Sequence, residues 1–504
     1  MRTVFALFDS LNRLSLEPYG SKTIKTPNFQ RLADRSVAFD KHYVGSLPCM
    51  PARRDMQTGR LTFLHRSWGP LEPFDNSFPE LLDQAGIHSH LISDHYHYWE
   101  DGGATYHNRY STYDFVRGQE GDTWKAMVEP PWDRLRKMYH PSRFNETPRS
   151  VEQHHFINRE FVKTEQDFPS VQCFDAAFDF LDTNRTADNW FLQIETFDPH
   201  EPFHAPERFR DDYPTDYQGP ILDWPRYARV TEAPDECDEL RANYAAIVAL
   251  CDAQLGRLLD YFDEHDLWRD TALIVATDHG FLLGEHDWWA KLRMPVFNEV
   301  AHIPLFIHHP EHADQAGTRR RSLTQTIDLM PTMLDLHGLS PPAEVEGRSL
   351  MTVLADDTPI RDYALYGIWG SATNITDGRY TYFRFPDDMK DQEIYQYTLM
   401  PTHMASFFTL EELKGAEMAP PFSFTKDLPV MKIGGHAKLP MYGVLGLDFF
   451  QDAQSALFDL DSDPGQLNPV ADPDMIRKFE GFMREAMGQN DAPVEAYTRL
   501  GMRA

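Results

Sequence analysis

Asp278-His279-Gly280 directly follows the apolar run Ala272-Leu273-Ile274-Val275-Ala276, and Gly284-Glu285-His286 comes soon after. Asp and His together offer an oxygen and a nitrogen donor, a pairing suited to a divalent cation. The same residue types also make an ordinary turn after a strand. Two further segments favour the metal. Asp9 closes the run Val4 to Phe8, and Asp198-Pro199-His200 closes the run that starts at Trp190. Cys49, in Cys49-Met50-Pro51-Ala52-Arg53, adds a nucleophilic atom type with an arginine four positions on. Histidines gather at His88, His90, His95, His97 and His107, and alternation on an extended segment puts His95 and His97 on one face.

Donors so far apart in the chain need a frame. The three apolar runs are short, continuous and β-rich, which predicts buried strands of a mixed or parallel sheet. Sites in such sheets gather beyond the carboxyl ends of the strands. Three strands ending in Asp, His and Asp-His would deliver those groups to one edge. Helices are expected between them. Thr26-Pro27 reads as an N-cap with proline in the first turn. Leu240 to Phe262 carries an apolar stripe of helical period, on which Cys251 is a core thiol. Past residue 355 the texture changes. Tyr363 to Ile368 and Arg379 to Arg384 read as hairpin strands around Thr376-Asp377-Gly378. From 387 to 450 the chain is rich in Met, Pro and aromatics without clean period, which suggests a long insertion serving as a lid or a subunit contact. The expected organisation is a catalytic domain over 1–355 and a smaller C-terminal α+β domain over 356–504.

The 504 residues carry a net charge of −30 and 41% hydrophobic residues. That size calls for more than one core. The charge disfavours nucleic acid and anionic membrane surfaces as partners. An anionic substrate would be held by local cations instead. Four cysteines without C-x-x-C spacing do not make a disulfide framework and disfavour a zinc site or a redox motif. The first apolar run reads as a strand, not a signal peptide, and no run reaches the ~20 residues of a membrane span. A cytoplasmic protein is expected.

The chain resembles the formylglycine-dependent sulfatases of the alkaline phosphatase superfamily. Cys49 to Arg53 matches their C-x-P-x-R core, and Asp9 matches the Asp ending strand one. Pro199-His200-Glu201-Pro202-Phe203 matches P-H-x-P-F, and Asp278-His279 matches the pair before Gly. Gly284-Glu285-His286 with Lys291, Ile303 to Ile307, Asp328 to Asp335, and Leu457-Phe458-Asp459-Leu460 follow in family order.

The resemblance implies an alkaline phosphatase-like α/β fold with a large, mostly parallel sheet flanked by helices. It implies that Cys49 is oxidised to Cα-formylglycine by a formylglycine-generating enzyme. It also implies one divalent metal, Ca2+ or Mn2+ with Mg2+ or Zn2+ as alternatives, on Asp9, Cys49, Asp278 and His279. The hydrated aldehyde would attack sulfur and form a covalent ester. Arg53, His200, Lys291 and His97 would complete the catalytic set, with His95 at the position of the family's lysine. The substrate would be a small anionic ester and the enzyme a homo-oligomer.

The sequence departs from the family at Ser10, where most sulfatases carry a second acid; Ser10 or Asn12 could supply an oxygen instead. Met50 and Gln57 are also unusual. Ser10 and the Asp-His pair resemble the phosphonate monoester hydrolase and phosphodiesterase branch, the alternative reading. A hydrolase or transferase working without formylglycine and an inactive binding protein are the remaining ones.

Overall fold

The computed structural model describes residues 1–145, 147–292, 294–389, 392–435 and 454–503. Its centre is an eight-stranded sheet. Arg2–Phe8 lies in the middle, parallel to Trp190–Thr196 on one side and to Thr271–Thr277 on the other. His88–Ser93 and Thr112–Phe115 extend the parallel set. Leu305–His308 runs antiparallel to Thr271–Thr277, which makes the sheet mixed. The three apolar runs are thus neighbours, as their composition predicts. Their register is even: Phe8 stands opposite both Thr196 and Thr277. Residues following these strands therefore emerge at one level on one edge.

Both faces of the sheet are covered, which is why these strands are mostly apolar rather than alternating, with Gln193 and Glu195 as buried exceptions. Val4, Ala6 and Phe8 pack with Leu192, Ile194, Leu273 and Val275 against the helices Pro169–Thr183 and Pro234–Glu264. Phe5, Leu7, Phe191 and Ile274 point the other way, toward Met50 and Met56 of Cys49–Thr58 and Met330 and Met333 of Leu329–Leu336. The long helix begins six residues before the predicted stripe. Pro234 occupies its first turn, and the Glu236 carboxylate accepts the Ala233 N–H at 2.8 Å.

The predicted cap at Thr26 is corrected. Helix Pro27–Arg35 starts there, but the Thr26 hydroxyl accepts the Glu17 N–H instead. The free N–H groups of Asn28 and Phe29 are taken by Asp252 of the long helix, at 3.0 and 2.9 Å. An end cap is supplied across the fold, which local sequence does not reveal.

Beyond residue 355, Ala364–Ile368, Thr373–Thr376, Tyr380–Arg384 and Ala456–Asp459 form an antiparallel sheet. The turn at Asp377-Gly378 is found, but it joins Thr373–Thr376 rather than Ala364–Ile368 to Tyr380–Arg384, so the expected hairpin is a meander with an extra strand. Ser46–Leu47, from the other end of the chain, pairs parallel to Gly367–Ile368 at the edge of this sheet. The segment leading into Cys49 is thereby tied to the C-terminal sheet.

The stretch expected as an irregular insertion over 387–450 is ordered where it is described. Tyr395–Thr398, Val430–Gly434 and Glu417–Ala419 form an antiparallel sheet, with the short helix Leu410–Lys414 beside it. Tyr397, Phe424 and Val430 pack on Phe74, while Phe407 and Met418 remain exposed. Residues 390–391 and 436–453 lie outside the described residues. No described helix is long and apolar enough to cross a membrane.

Candidate active site

Cys49 begins a buried helix whose position is fixed from both ends. The Asp55 carboxylate accepts the Ser46 N–H at 2.6 Å, the Ser46 hydroxyl at 2.9 Å and the Thr62 N–H at 2.9 Å. It ties the strand entering the helix to the loop leaving it. Gly45 allows this, since a Cβ there would sit 2.4 Å from Asp55 Oδ2. Burial pushes the Asp55 carboxyl up to about 7, against the pull of these hydrogen bonds.

Arg53 lies one turn after Cys49, on the same helix face. Its Nη1 donates to the Cys49 carbonyl at 3.1 Å and to Asp278 Oδ2 at 2.6 Å. Nε donates to Glu195 Oε1 at 2.7 Å, and Nη2 stands 2.9 Å from Asp9 Oδ2. One guanidinium thus joins carboxylates from the ends of all three central strands. The C-x-P-x-R spacing places this cation beneath residue 49, where it braces the acids.

Asp9, Cys49, Asp278 and His279 are all buried, and each offers a donor atom within 4.8 Å of the others. Cys49 Sγ is 3.3 Å from His279 Nε2 and 3.8 Å from Asp9 Oδ1. The His279 Nδ1–H donates to the Gly280 carbonyl at 2.9 Å, leaving the Nε2 lone pair facing the cluster. Gly280 must be glycine: a Cβ would lie 1.9 Å from the Glu299 carbonyl oxygen. Asp9 Oδ2 makes no well-directed hydrogen bond, although Arg53 Nη2 lies 2.9 Å from it. A buried carboxylate oxygen, an imidazole lone pair and a second acid fit a divalent cation.

Charge in the cluster follows from its neighbours. Burial would raise the Asp9 carboxyl, but Arg53, His200, His95 and Lys291 hold it well below the usual carboxylate range. Burial, followed by the Asp9 charge, pushes the Cys49 thiol far up. An unmodified thiol here stays protonated and is a poor nucleophile. Burial keeps His279 neutral, the form that binds metals.

Ser10 replaces the missing second acid in an indirect way. Its backbone takes a left-handed conformation (φ 62°), and its N–H donates to Asp278 Oδ1 at 3.0 Å. Its hydroxyl donates to Asp9 Oδ1 at 2.7 Å and accepts from Lys291 Nζ at 2.8 Å. Asn12 does not face the cluster. Its Oδ1 accepts the Leu14 N–H at 2.8 Å and its Nδ2 donates to the Phe281 carbonyl at 2.8 Å, so it caps a turn.

Lys291 and His200 enter from the opposite wall. Lys291 is only 2% exposed. Burial opposes its charge, but Cys49, Glu201 and the cluster acids raise its pKa, so it stays an ammonium. His200 donates its Nδ1–H to the Glu201 carbonyl at 2.6 Å, and burial with Lys291 keeps it neutral.

The histidine group divides. His95 is fully buried, with Nε2 3.5 Å from Asp9 Oδ2 and neither ring nitrogen hydrogen-bonded. His97 pairs with Glu100 at 2.7 Å, and its ring lies 5.2 Å from that of His95. His95, not His97, is the one beside the cluster, because a turn at Tyr96–Trp99 ends the extended segment. His88 bonds Thr112, His90 stacks on Phe180 and His107 on Trp99; these three belong to the sheet edge. His286 also lies apart, stacked on Phe297.

Sequence reasoning missed Glu195, Glu201, Glu120 and Tyr227. Glu195 carried a readable signal: it is an acid inside an otherwise apolar buried strand, and such charges are kept only when paired. Glu120, His200 and Glu201 form a second compact buried group. Tyr96 donates to Glu120 at 2.6 Å, and Tyr227 donates to Glu201.

A family model described as Sulfatase matches residues 2–339, and one described as N-sulphoglucosamine sulphohydrolase, C-terminal, matches 284–418. The N-acetylglucosamine-6-O-sulfatase of Bacteroides thetaiotaomicron is 24% identical over 464 residues, covering 80% of this chain and 82% of that protein. The multifunctional alkaline phosphatase superfamily protein PehA of Trinickia caryophylli is 26% identical over 384 residues, covering 67% and 72%. Among solved structures, BT4656 in complex with its substrate D-glucosamine-2-N,6-O-disulfate aligns with a TM-score of 0.66 at 16% identity, covering 98% of this chain and 99% of that one. The phosphonate monoester hydrolase of Agrobacterium radiobacter aligns at 0.65 with 19% identity, covering 97% and 95%.

Proposed function

The chain belongs to the sulfatase family, and we propose that it hydrolyses small sulfate esters at a metal- and formylglycine-dependent centre built on Cys49. One observation carries this reading. Cys49, Asp9, Asp278 and His279 meet within 4.8 Å, the acids and the histidine just past the ends of two neighbouring parallel strands and Cys49 at the start of a buried helix, braced by one buried arginine.

Asp9, Asp278 and His279, with residue 49, would hold one divalent cation. Their mixed oxygen and nitrogen donors suit Mn2+ better than Ca2+, which prefers oxygen alone. Such a cation supplies Lewis acidity toward an ester oxygen and lowers the pKa of the nucleophile. Oxidised to Cα-formylglycine, residue 49 would supply a hydroxyl nucleophile that the protonated thiol cannot replace.

The remaining steps fall to the chain's own side chains. Lys291, held as an ammonium, binds an anionic oxygen of the transferred group and can donate a proton to the leaving oxygen. His200 is neutral with its Nδ1–H occupied, so its Nε2 is free to accept a proton. Ser10 keeps Lys291 in line with Asp9. Arg53 braces the acids around residue 49 and orients the Cys49 carbonyl. His95, beside Asp9, would contact the transferred group, and the His97 ring packs 5.2 Å from it.

The net charge of −30 favours a small ester over a long polyanion. Phosphonate monoesters or phosphodiesters are the second reading, motivated by Ser10 in place of an acid. Comparing kcat/KM for an aryl sulfate, a phosphonate monoester and a phosphodiester decides between them. The sulfate is expected to lead. A phosphodiester preference above roughly tenfold, about 1.4 kcal/mol in transition-state binding, would reverse the order.

A further inference from the structure

The second buried group lies against the wall that carries Lys291. Glu120, His200 and Glu201 bring donor atoms within 4.8 Å of one another, a spacing that could hold a cation. A cation is already there. Lys291 Nζ stands 3.7 Å from Glu201 Oε2, and the two side chains are each 1% exposed. The ammonium of Lys291 thus already offsets the charge of Glu201 in this group. Glu201 also reaches His200 twice. Its carbonyl accepts the Nδ1–H at 2.6 Å, and its Oε2 lies 3.3 Å from the same nitrogen. The other carboxylate oxygen, Oε1, accepts from the Tyr227 hydroxyl.

We infer that Glu201 is a positioning residue whose carboxylate sets Lys291 against the transferred group, held in turn by Tyr227. The inference rests on the functional reading above. Glu201 fills the variable place of the Pro199–Phe203 segment, where nothing in the motif calls for an acid. Its contacts form one line across the site: Tyr227 to Glu201, Glu201 to Lys291, Lys291 to Ser10 at 2.8 Å, and Ser10 to Asp9 at 2.7 Å. A lysine side chain has four rotatable bonds, and a buried ammonium with one hydrogen-bond acceptor is weakly fixed. The carboxylate supplies the second anchor. The His200 tautomer is set by the backbone carbonyl of residue 201, so Glu201→Gln leaves it in place and isolates the effect on Lys291.

The test uses full-length, matured, metal-loaded enzyme carrying Glu201→Gln, Lys291→Ala or both, assayed on whichever of the three esters the wild type turns over fastest. Glutamine keeps the size of Glu201 and an acceptor for Tyr227 but removes the charge beside Lys291. A misplaced reacting geometry costs on the order of a hundredfold. Glu201→Gln should therefore lower kcat by roughly that factor while KM stays within about threefold, with metal content unchanged. The double variant should be no slower than Lys291→Ala alone, because Glu201 acts through the lysine. A purely structural role would lower the melting temperature and leave the two losses multiplicative. Wild-type kcat in Glu201→Gln, or multiplicative losses, would overturn the inference whichever ester is used. A wild type that prefers a phosphodiester would overturn only the sulfate reading.

Discussion

Arg53 Nη1 donates to Asp278 Oδ2 at 2.6 Å from one turn below Cys49, so the arginine after the cysteine is a strut between the helix and the strand ends. Glu195 and Asp9 complete its shell at 2.7 and 2.9 Å. The three acids and the guanidinium are each no more than 1% exposed. Such an array is stable only while complete, because an unpaired buried charge is far costlier than a paired one.

Replacing Arg53 by methionine should therefore destabilise the fold as well as stop turnover. Three buried carboxylates would lose their common partner, a loss of about 3–5 kcal/mol. Denaturant unfolding of the variant beside wild type checks this. Arg53→Lys should recover little, since a point charge cannot meet three carboxylates in the guanidinium's fork geometry. Stability within 1 kcal/mol of wild type for Arg53→Met would show that the strut is dispensable.

Asp278→Asn removes one of the two acids of the proposed metal shell. Metal content by elemental analysis should fall, and the affinity for added Mn2+ or Ca2+ should weaken. Asp9→Asn should behave alike. Chelation of the wild-type enzyme should lower its melting temperature, and the same ion should restore it. Unchanged stoichiometry and affinity in both variants would remove these residues from the shell.

Ser10→Ala breaks the link between Lys291 and Asp9. Lys291 would lose its hydroxyl acceptor in a buried site, a cost of about 1–3 kcal/mol. Activity should drop on the order of tenfold. Ser10→Gly should lose the same activity but keep more stability, because glycine tolerates the left-handed backbone at φ 62°. Equal stability of the two variants would show that the backbone strain is negligible.

Acid sensitivity has a traceable source away from the metal cluster. Burial, and next the charge of Arg60, pushes His65 down to about 3. A histidine with a depressed folded pKa binds its proton more readily when unfolded. Its neutral, folded form thus contributes stability fully above the unfolded value of ~6.5, and that contribution shrinks as pH falls from there toward about 3. His65→Gln should flatten the stability curve over this window by up to one proton, about 1.4 kcal/mol per pH unit. The slope is the readout, since lost packing against Phe422 and Phe424 shifts the curve without tilting it. A slope identical to wild type would show that His65 does not titrate between the states.

The strand ends were legible because buried parallel strands are written as mostly apolar runs, with Asp9 and Asp278 directly after two of them and His200 four residues past the third. The spacing of Cys49 and Arg53 was legible because one helical turn is a local fact. What sequence could not supply were partners brought by pairing over long distances. Asp252 caps a helix more than two hundred residues away. Ser46–Leu47 joins a sheet built after residue 355. Asn12 looked like a spare ligand, yet its amide is spent on a turn and on Phe281. His95 and His97 were ranked by family order, while the turn at Tyr96–Trp99 turns the nearer ring toward Asp9. The 387–450 stretch looked irregular because its strands are three to five residues long, too short for period-two alternation to emerge.

The central claim is that turnover depends on oxidation of Cys49, and the most direct measurement pairs the mass of the Cys49 peptide with sulfate release from an aryl sulfate in the same preparations. Samples made with and without a formylglycine-generating enzyme should differ in the fraction carrying the aldehyde or its hydrate. The account predicts that kcat scales in proportion to that fraction and that Cys49→Ala is inactive by several orders of magnitude. Full sulfate release from a preparation in which residue 49 is entirely unmodified cysteine would contradict it.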